Sequence, residues 1–349
     1  MKKYFVFIIF LVCNILISRA QLGGSHVYKF LNLPPTARIS ALGGKLFSVR
    51  DKDPAMAMLN PSMLQSAMSN SISFDITDYF SNAVYGHVNY IRHFNKIGTF
   101  DFATSFVSYG SFDGYDIYGN STGTFSAGDV VLMASYGREF VDSIFSMGMN
   151  TKLIFSKYEQ YFSLGLAVDF AASYYNAKHD LSLTLLLSNI GTQIVTYSGT
   201  REKIPFEIQL GFSQRFKHLP VRYSITLQHL QKWDLTYSDP ADPFAQIDVM
   251  TGEVAPASKA AQFADKLFRH FIFGLEILPM KYFSLQVSYN YNTLRQMRTY
   301  QKRGVIGLAY GVGLHIYHFN FYYARSHSNL GSVPNQFTIS TNISEFIKK

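Results

Sequence analysis

Past residue 20 the chain never runs apolar for long enough to cross a bilayer as a helix; its hydrophobic residues alternate, one for one, with polar or small ones. From Phe283 to Tyr291 the odd positions are Phe283, Leu285, Val287, Tyr289 and Tyr291, with Ser284, Gln286, Ser288 and Asn290 between them. Val221, Tyr223, Ile225 and Leu227 enclose Arg222, Ser224 and Thr226, and Phe206 to Ser213, Phe162 to Phe170 and Ile306 to Leu314 repeat the pattern. A period of two puts alternate side chains on opposite faces of a strand. The chain is therefore all-β, and a helical membrane bundle is excluded. The aromatic load, 31 Phe and 24 Tyr against one Trp, fits strands better than helices.

The first twenty residues differ. Lys2 and Lys3 precede an apolar run from Tyr4 to Ile17, followed by Ser18, Arg19 and Ala20. A basic start, an apolar stretch too short for a membrane span and small residues at −3 and −1 make residues 1–20 an expected signal peptide, cut before Gln21. Phe10, Leu11 and Val12 ahead of Cys13 are not a lipobox, so Cys13 is filler, and its removal leaves the mature chain without cysteine. That excludes a disulfide framework or a cysteine-rich metal site. Three of the eight surplus positive charges sit in the signal; the rest are spread too thinly for a nucleic-acid partner.

Alternation alone also describes a soluble sandwich. Three features favour a membrane barrel: expected strands of about 9–12 residues, long enough to cross a bilayer when tilted; aromatic pairs at strand ends, as at Tyr79-Phe80, Tyr174-Tyr175 and Tyr322-Tyr323; and connections that alternate in length. About fourteen strands are expected between residues 71 and 343. The connections after even-numbered strands are short (93–97, 140–143, 217–220, 279–281, 315–316), and several after odd-numbered ones are long (110–128, 191–204, 231–267, 294–303). Short turns on one rim and long loops on the other characterise a transmembrane antiparallel β-barrel. A barrel of this size is too wide for its own side chains to fill.

Residues 21–70 supply the expected filling, ahead of a barrel comprising residues 71–349. Thr36 after Pro34-Pro35 is a candidate helix N-cap, Gly43-Gly44 a stop, and Asp53-Pro54 a second helix start. Met56, Met58, Leu59, Met63 and Leu64 need apolar cover, which a hatch folded into the lumen provides.

This stretch also carries a family resemblance. Phe30-Leu31-Asn32-Leu33-Pro34, Ala37-Arg38, Ala41-Leu42-Gly43-Gly44, Asp51-Lys52-Asp53 and Asn60-Pro61-Ser62-Met63-Leu64 together resemble the N-terminal signature of the PorV/PorQ barrels, relatives of the FadL-type fatty-acid transporters. Residues 123–129, 210–216 and 226–234 are similar to landmarks of the PorQ branch. Ser62, where that family usually has Ala, and an insert at residues 238–266 depart from it. The resemblance implies an outer-membrane component of the type IX secretion machinery that holds a surface partner of PorZ type, with PorU/PorV-like proteins nearby. It marks Arg38, Gly43, Gly44, Asp51, Asp53, Asn60 and Pro61 as signature residues of the plug.

No nucleophile elbow, phosphate loop, zinc-protease helix or dinucleotide fingerprint occurs, so neither catalysis nor a cofactor is expected. Gly307, Gly311 and Gly313 read as lumen packing, and His315 and His318 as solvated turn residues. The long loops carry the remaining functional expectation. Loop 231–267 holds Asp234, Asp239, Asp242, Asp248, Glu253 and Asp265 against Lys232, Lys259 and Lys266, with helical spacing over residues 257–267. Loop 294–303 holds Arg295, Arg298, Lys302 and Arg303 and no acid. Either Asp234, Asp239, Asp242, Arg295, Arg298, Lys302 and Arg303 form a partner-docking surface, or the two loops neutralise each other and cap the barrel. Two functions stand: a non-enzymatic scaffold in the outer membrane, in contact with its lipid, or a FadL-like channel for long-chain fatty acids or other hydrophobic small molecules. The lumen separates them, since a channel needs an apolar pocket. Polar inward positions such as Glu207, Gln209, Arg222, Gln286 and Asn290 favour the scaffold.

Overall fold

The computed structural model describes residues 26–141, 143–236, 258–297, 305–328 and 331–347. The expected signal peptide lies outside them, as do Asp239, Asp242, Arg298, Lys302 and Arg303.

The described residues form fourteen antiparallel strands in sequence order: β1 (Ser71–Asp78), β2 (Val84–Phe94), β3 (Gly98–Tyr115), β4 (Ser121–Phe140), β5 (Phe145–Tyr158), β6 (Tyr161–Asn176), β7 (Leu181–Val195), β8 (Glu207–Arg215), β9 (Val221–Leu227), β10 (Phe271–Met280), β11 (Phe283–Asn290), β12 (Leu308–Ile316), β13 (Phe319–Ser326) and β14 (Asn335–Asn342). Each pairs with its neighbours, and β1 closes on β14 from Ser71↔Asn342 to Asp78↔Asn335. Closure removes the open edge that hydrocarbon forbids.

The two faces of the wall follow the alternation. Outward lie Phe74, Phe102, Leu132, Met147, Phe170, Leu185, Phe273, Leu285 and Phe337, with Phe102 still 55% and Phe337 53% exposed. An apolar band of this extent is a lipid face rather than a soluble surface. Inward, and buried, lie Ser73, Asp75, Asn89, Asp101, Asn150, Asp169, Glu207, Gln209, Arg222, Glu276, Gln286 and Gln336.

The strands differ from the expected lengths where local chemistry lets the ladder continue or stops it. Residues 110–128, expected as a loop, extend β3 and β4 into a projecting ribbon, paired to Tyr115↔Ser121 and closed by a turn in which Asp116 accepts from the Tyr118 and Asn120 amides. Gly110, at φ +83°, absorbs the register shift between Ser108 and Ser111, and the Ser/Gly-rich polarity had masked the pairing. β11 stops at Asn290, where the chain turns into a helix, Tyr291–Met297. The Asn290 side chain accepts from the Thr293 amide at 3.2 Å and caps that turn.

Residues 26–70 pack against inward-facing side chains of the wall, Ala37 on Thr338, Arg38 on Glu276 and Lys45 on Glu207. They form a 3-10 turn (Lys29–Asn32), helix α1 (Ala37–Ala41), helix α2 (Ala55–Leu59) and further 3-10 turns at Pro61–Met63 and Ser66–Met68. The loop helix Lys259–Phe268 is α3, Tyr291–Met297 is α4, and Ser344–Ile347 is α5. Helix α1 ends before Gly43 and Gly44, both at positive φ (+93° and +81°). A Cβ on Gly43 would stand 2.3 Å from the Ile272 side chain, so glycine is required there for conformation and for space. Thr36 precedes α1 without a side-chain cap bond, whereas Asp53 Oδ1 accepts from the Ala55 amide at 3.0 Å. Ile39, Leu42, Leu46, Val49, Met56 and Met63 form a core of the plug's own residues.

Candidate functional site

The plug is fastened by charge to particular acids and bases of the wall. Arg38, 4% exposed, is the centre. Its Nε and Nη2 grip the two oxygens of Glu276 on β10 at 2.9 and 3.0 Å, Nη1 reaches Asp53 at 2.9 Å and Nη2 reaches Asp51 at 2.7 Å. Arg222 on β9 completes the group, 2.8 Å from Glu276 and 3.4 Å from Asp51. The forked, planar guanidinium suits a site with several carboxylates to bridge. Burial opposes ionisation of Asp51, but the Arg38 and Arg222 charges outweigh it and hold the carboxyl below its usual range. Asp53 goes the other way: burial, aided by the Asp51 charge, raises it despite Arg38. With two cations and three acids, Asp53 is the plug carboxylate that takes a proton first.

Two further links hold the plug. Lys45 Nζ lies 2.6 and 2.7 Å from the oxygens of Glu207 on β8. Glu207 also accepts from the His229 amide at 3.1 Å, and His229, lowered to about 4 by burial and then by the Lys45 charge, stays neutral beside it. Nearer the short-turn rim, Arg50 pairs with Glu139, donates to the Ser143 carbonyl at 2.7 Å and stacks on Tyr175. Elsewhere the contact is made by neutral hydrogen bonds, such as the Ala37 amide to Thr338 and the Ser288 hydroxyl to the Ala41 carbonyl, both 2.8 Å, and by close packing. The buried Asn60 accepts from the Ser62 amide at 3.0 Å and donates to the Phe47 carbonyl at 2.7 Å, setting the Pro61–Met63 turn against Gly137 and Gly148.

The structure thus brings Arg38, Asp51 and Asp53 into one cluster and places Gly43, Gly44, Asn60 and Pro61 at separate contacts of the same plug. Sequence reasoning missed Glu276 as their partner, although a lone acid in the apolar Phe271–Met280 strand was a signal. It also missed Lys45, Glu207 as its partner, and the Gly137–Gly148 pair.

At the long-loop rim, α3 is capped by Ser258 and joined to its surroundings by charge. Asp234 pairs with Lys266 at 2.7 Å, and Asp265 pairs with Arg269 at 2.8 Å and with Arg295 at 2.9 Å. Asp234 and Arg295, the two described members of the expected docking set, are therefore engaged within the chain. Trp233 packs on Phe263 and stacks on His270. Desolvation is outweighed by hydrogen bonds from Lys266 and Thr236, with the Lys266 charge adding to them, and Asp234 is held at about 2. A depressed carboxyl contributes stability that is complete above its unfolded value near 3.8 and is lost as pH falls towards the folded value. The emission maximum of Trp233 is accordingly expected to stay constant from neutrality to about pH 4 and to shift red as pH approaches about 2. A red shift complete by pH 5 would rule out this pair as the fastening.

Inside, the Phe30–Leu33 segment faces Phe106, Val107, Val131 and Met133 across a chamber of about 50 Å³. His87 lines it, with Nδ1 bonded to Ser105 at 2.6 Å and Nε2 buried without a hydrogen-bond partner. Towards the short-turn rim, a polar cavity of about 440 Å³ opens beside Arg38, Asp51 and Glu276. No group of three or more metal-ligating side chains occurs among the described residues.

No protein-family model matches the chain, and no curated protein matches it. Solved structures do. The chain is similar to the Pseudomonas putida toluene transporter TodX, at 10% identity over 88% of this chain and 97% of that one, with a TM-score of 0.47. A Pseudomonas aeruginosa FadL homologue matches at 10% identity over 88% and 98%, TM-score 0.44. The KdgM porin matches at 8% identity over 78% and 98%, TM-score 0.32. At such identities the likeness is one of fold.

Proposed function

We propose that the chain is a non-enzymatic, plugged channel of the outer membrane that passes a hydrophobic small molecule when the plug shifts. The observation that supports this reading is the chamber between Phe30–Leu33 and β2–β5. It is a mainly apolar recess, with His87, Ser105 and Lys152 as polar members, in a lumen whose wall is largely polar, and apolar pockets with few polar groups are where hydrophobic ligands are held. The apolar side chains of the Phe30–Leu33 segment are only half-buried, so the plug presents apolar surface to the recess instead of sealing it. At about 50 Å³ the chamber is smaller than the roughly 150 Å³ that accommodates benzene, so occupancy requires the segment to move.

Filling the recess tests the reading. Val131→Trp is expected to abolish uptake of toluene and of medium-chain alcohols into proteoliposomes, by tenfold or more, while leaving the barrel folded. Uptake equal to that of the native protein would remove the chamber from the path.

A second reading has its own observation. The long-loop rim exposes Trp233, Phe263 and Phe268 beside the paired charges of α3, and exposed aromatic residues with a charged margin suit a protein partner. Under this reading the barrel holds a surface protein of PorZ type within the type IX attachment complex. Gentle extraction and pull-down separate the two. A stoichiometric surface partner that leaves the cell surface on deletion favours the anchor; a barrel recovered alone, with uptake impaired on deletion, favours the channel.

A further inference from the structure

We propose that the cleft formed by the three turns β6–β7, β8–β9 and β10–β11 binds the phosphate headgroup of an anionic phospholipid from the leaflet at the short-turn rim. The inference rests on the membrane placement proposed above, and on nothing about what the lumen carries.

The cleft is large, about 860 Å³, and structurally tied together. The Arg215 amide donates to the Asp180 carbonyl at 3.2 Å, joining the first turn to the second, and the Leu278 amide donates to the Pro220 carbonyl at 2.6 Å, joining the second to the third. Lys178, Arg215, Lys217 and Lys281 converge on this space from all three turns. Asp180 is the lone acid among its lining residues, and it is already engaged by the Tyr175 hydroxyl at 3.1 Å and faces Arg222 at 3.7 Å. None of the four cations has an ion-pair partner among the described residues. This contrasts with the lumen, where Arg38, Lys45, Arg50, Lys152 and Arg222 are all paired.

The surroundings identify the occupant. Phe216 lines the cleft and also packs on Tyr223, ring centroids 5.1 Å apart, and Tyr223 packs on Phe212 at 5.6 Å. Phe212 and Tyr223 are outward-facing positions of β8 and β9, so one aromatic column runs from the lipid face to the floor of the basic cleft. Leu219 and Met280 extend the apolar margin, 57% and 54% exposed. An aromatic girdle marks the level of the headgroups on a membrane barrel. Cations above it and apolar side chains below it match a phosphate continuous with acyl chains. A soluble acidic protein would leave Phe216, Leu219 and Met280 without purpose. Juxtamembrane Lys and Arg residues each add measurably to attraction for anionic lipid.

The experiment uses the full mature chain in mild detergent, with native mass spectrometry in equimolar phosphatidylglycerol and phosphatidylcholine. Heat-modifiable electrophoretic mobility and flotation with neutral vesicles verify insertion separately. The native protein is expected to retain phosphatidylglycerol over phosphatidylcholine, and the triple variant Lys178→Gln, Lys217→Gln, Lys281→Gln to lose that preference by at least about tenfold. The control triple Lys203→Gln, Lys232→Gln, Lys259→Gln, on the opposite rim, is expected to keep it. Should the first triple fold poorly, the native protein in high salt gives the second test, since the preference should fall as the charges are screened. Equal retention of both lipids by an inserted native barrel overturns the site, and so does equal loss in both triples. A chain that does not float with the neutral vesicles overturns the membrane placement instead.

Discussion

Replacing Arg38 with alanine is expected to free the N-terminal segment from the wall without unrolling the barrel. The substitution removes the one side chain that touches Asp51, Asp53 and Glu276 together. It leaves Asp51 and Glu276 sharing Arg222 and strips Asp53 of its cation, with Glu276 and Asp53 nearly inaccessible to water. Breaking a buried pair from one side costs about 3–5 kcal/mol, because the remaining charge stays desolvated. That loss falls on plug docking, since the strand ladder from β1 to β14 does not depend on Arg38. Trypsin is the direct probe. Lys45, Arg50 and Lys52 lie in the plug, and in the variant they should be cleaved while the heat-modifiable barrel band survives. Adding Glu276→Gln to Arg38→Met should restore part of the protection, because the pair is then removed from both sides. Native-like resistance in Arg38→Ala would show that the remaining links, Lys45–Glu207 and Arg50–Glu139 among them, hold the plug without it.

The barrel was far more legible in the sequence than the plug's fastening, for a physical reason. A strand with one face in lipid and one in a polar lumen must alternate, so Phe283–Asn290 announces its own structure, and a one-residue slip would turn Gln286 and Ser288 into hydrocarbon. Loop asymmetry adds the topology. Strand ends were less legible: Gly110 and the Ser/Gly-rich residues of the 121–128 stretch read as loop because polarity and glycine are what loops and projecting ribbons share. The plug partners were harder still. Arg38 and Glu276 are 238 residues apart, and no local period links them. What was visible was each half of the anomaly: a lone Arg in the small-residue helix Ala37–Ala41, and a lone Glu in an apolar strand. The inward polarity of Glu207, Gln209, Arg222 and Gln286 was anticipated, but reading it as favouring a scaffold overlooked the plug. The plug supplies its own apolar surface at Phe30–Leu33, so a polar wall does not make the whole lumen polar.

The fastening has a common logic. Charges on the plug meet charges on β4, β8, β9 and β10, while small residues on β4, β5, β11 and β12 let its backbone approach closely. Ion pairs give register and can be exchanged for water when the plug shifts, whereas steric fit against glycine cannot be compensated by solvent. The steric contact is therefore the sharper place to perturb the plug.

Gly148→Leu is expected to open the barrel. Gly148 on β5 stands directly opposite Gly137 on β4, both facing inward, and together they form a groove without side chains. The backbone of Pro61 lies in it. A Cβ on Gly148 would come within 2.4 Å of the Pro61 carbonyl carbon and 2.7 Å of the Ser62 nitrogen, and one on Gly137 within 2.3 Å of the Pro61 oxygen. These are backbone atoms of a turn fixed by Asn60 and by the Ser62–Ser173 hydroxyl contact at 2.6 Å, so no rotamer change relieves the overlap. Alanine there should already cost about 1–3 kcal/mol as overpacking, and leucine should displace the whole turn. With the turn go Asn60 and its bond to the Phe47 carbonyl, which couples the displacement to the rest of the plug. The native chain is expected to be nearly silent in planar bilayers and Gly148→Leu to conduct, with Ser62→Ala, which removes the hydroxyl contacts to Asn60 and Ser173 but adds no bulk, remaining silent. If Gly148→Leu folds, keeps its plug resistant to trypsin and does not conduct, then the glycine groove is a packing detail and the lumen is closed by some other contact.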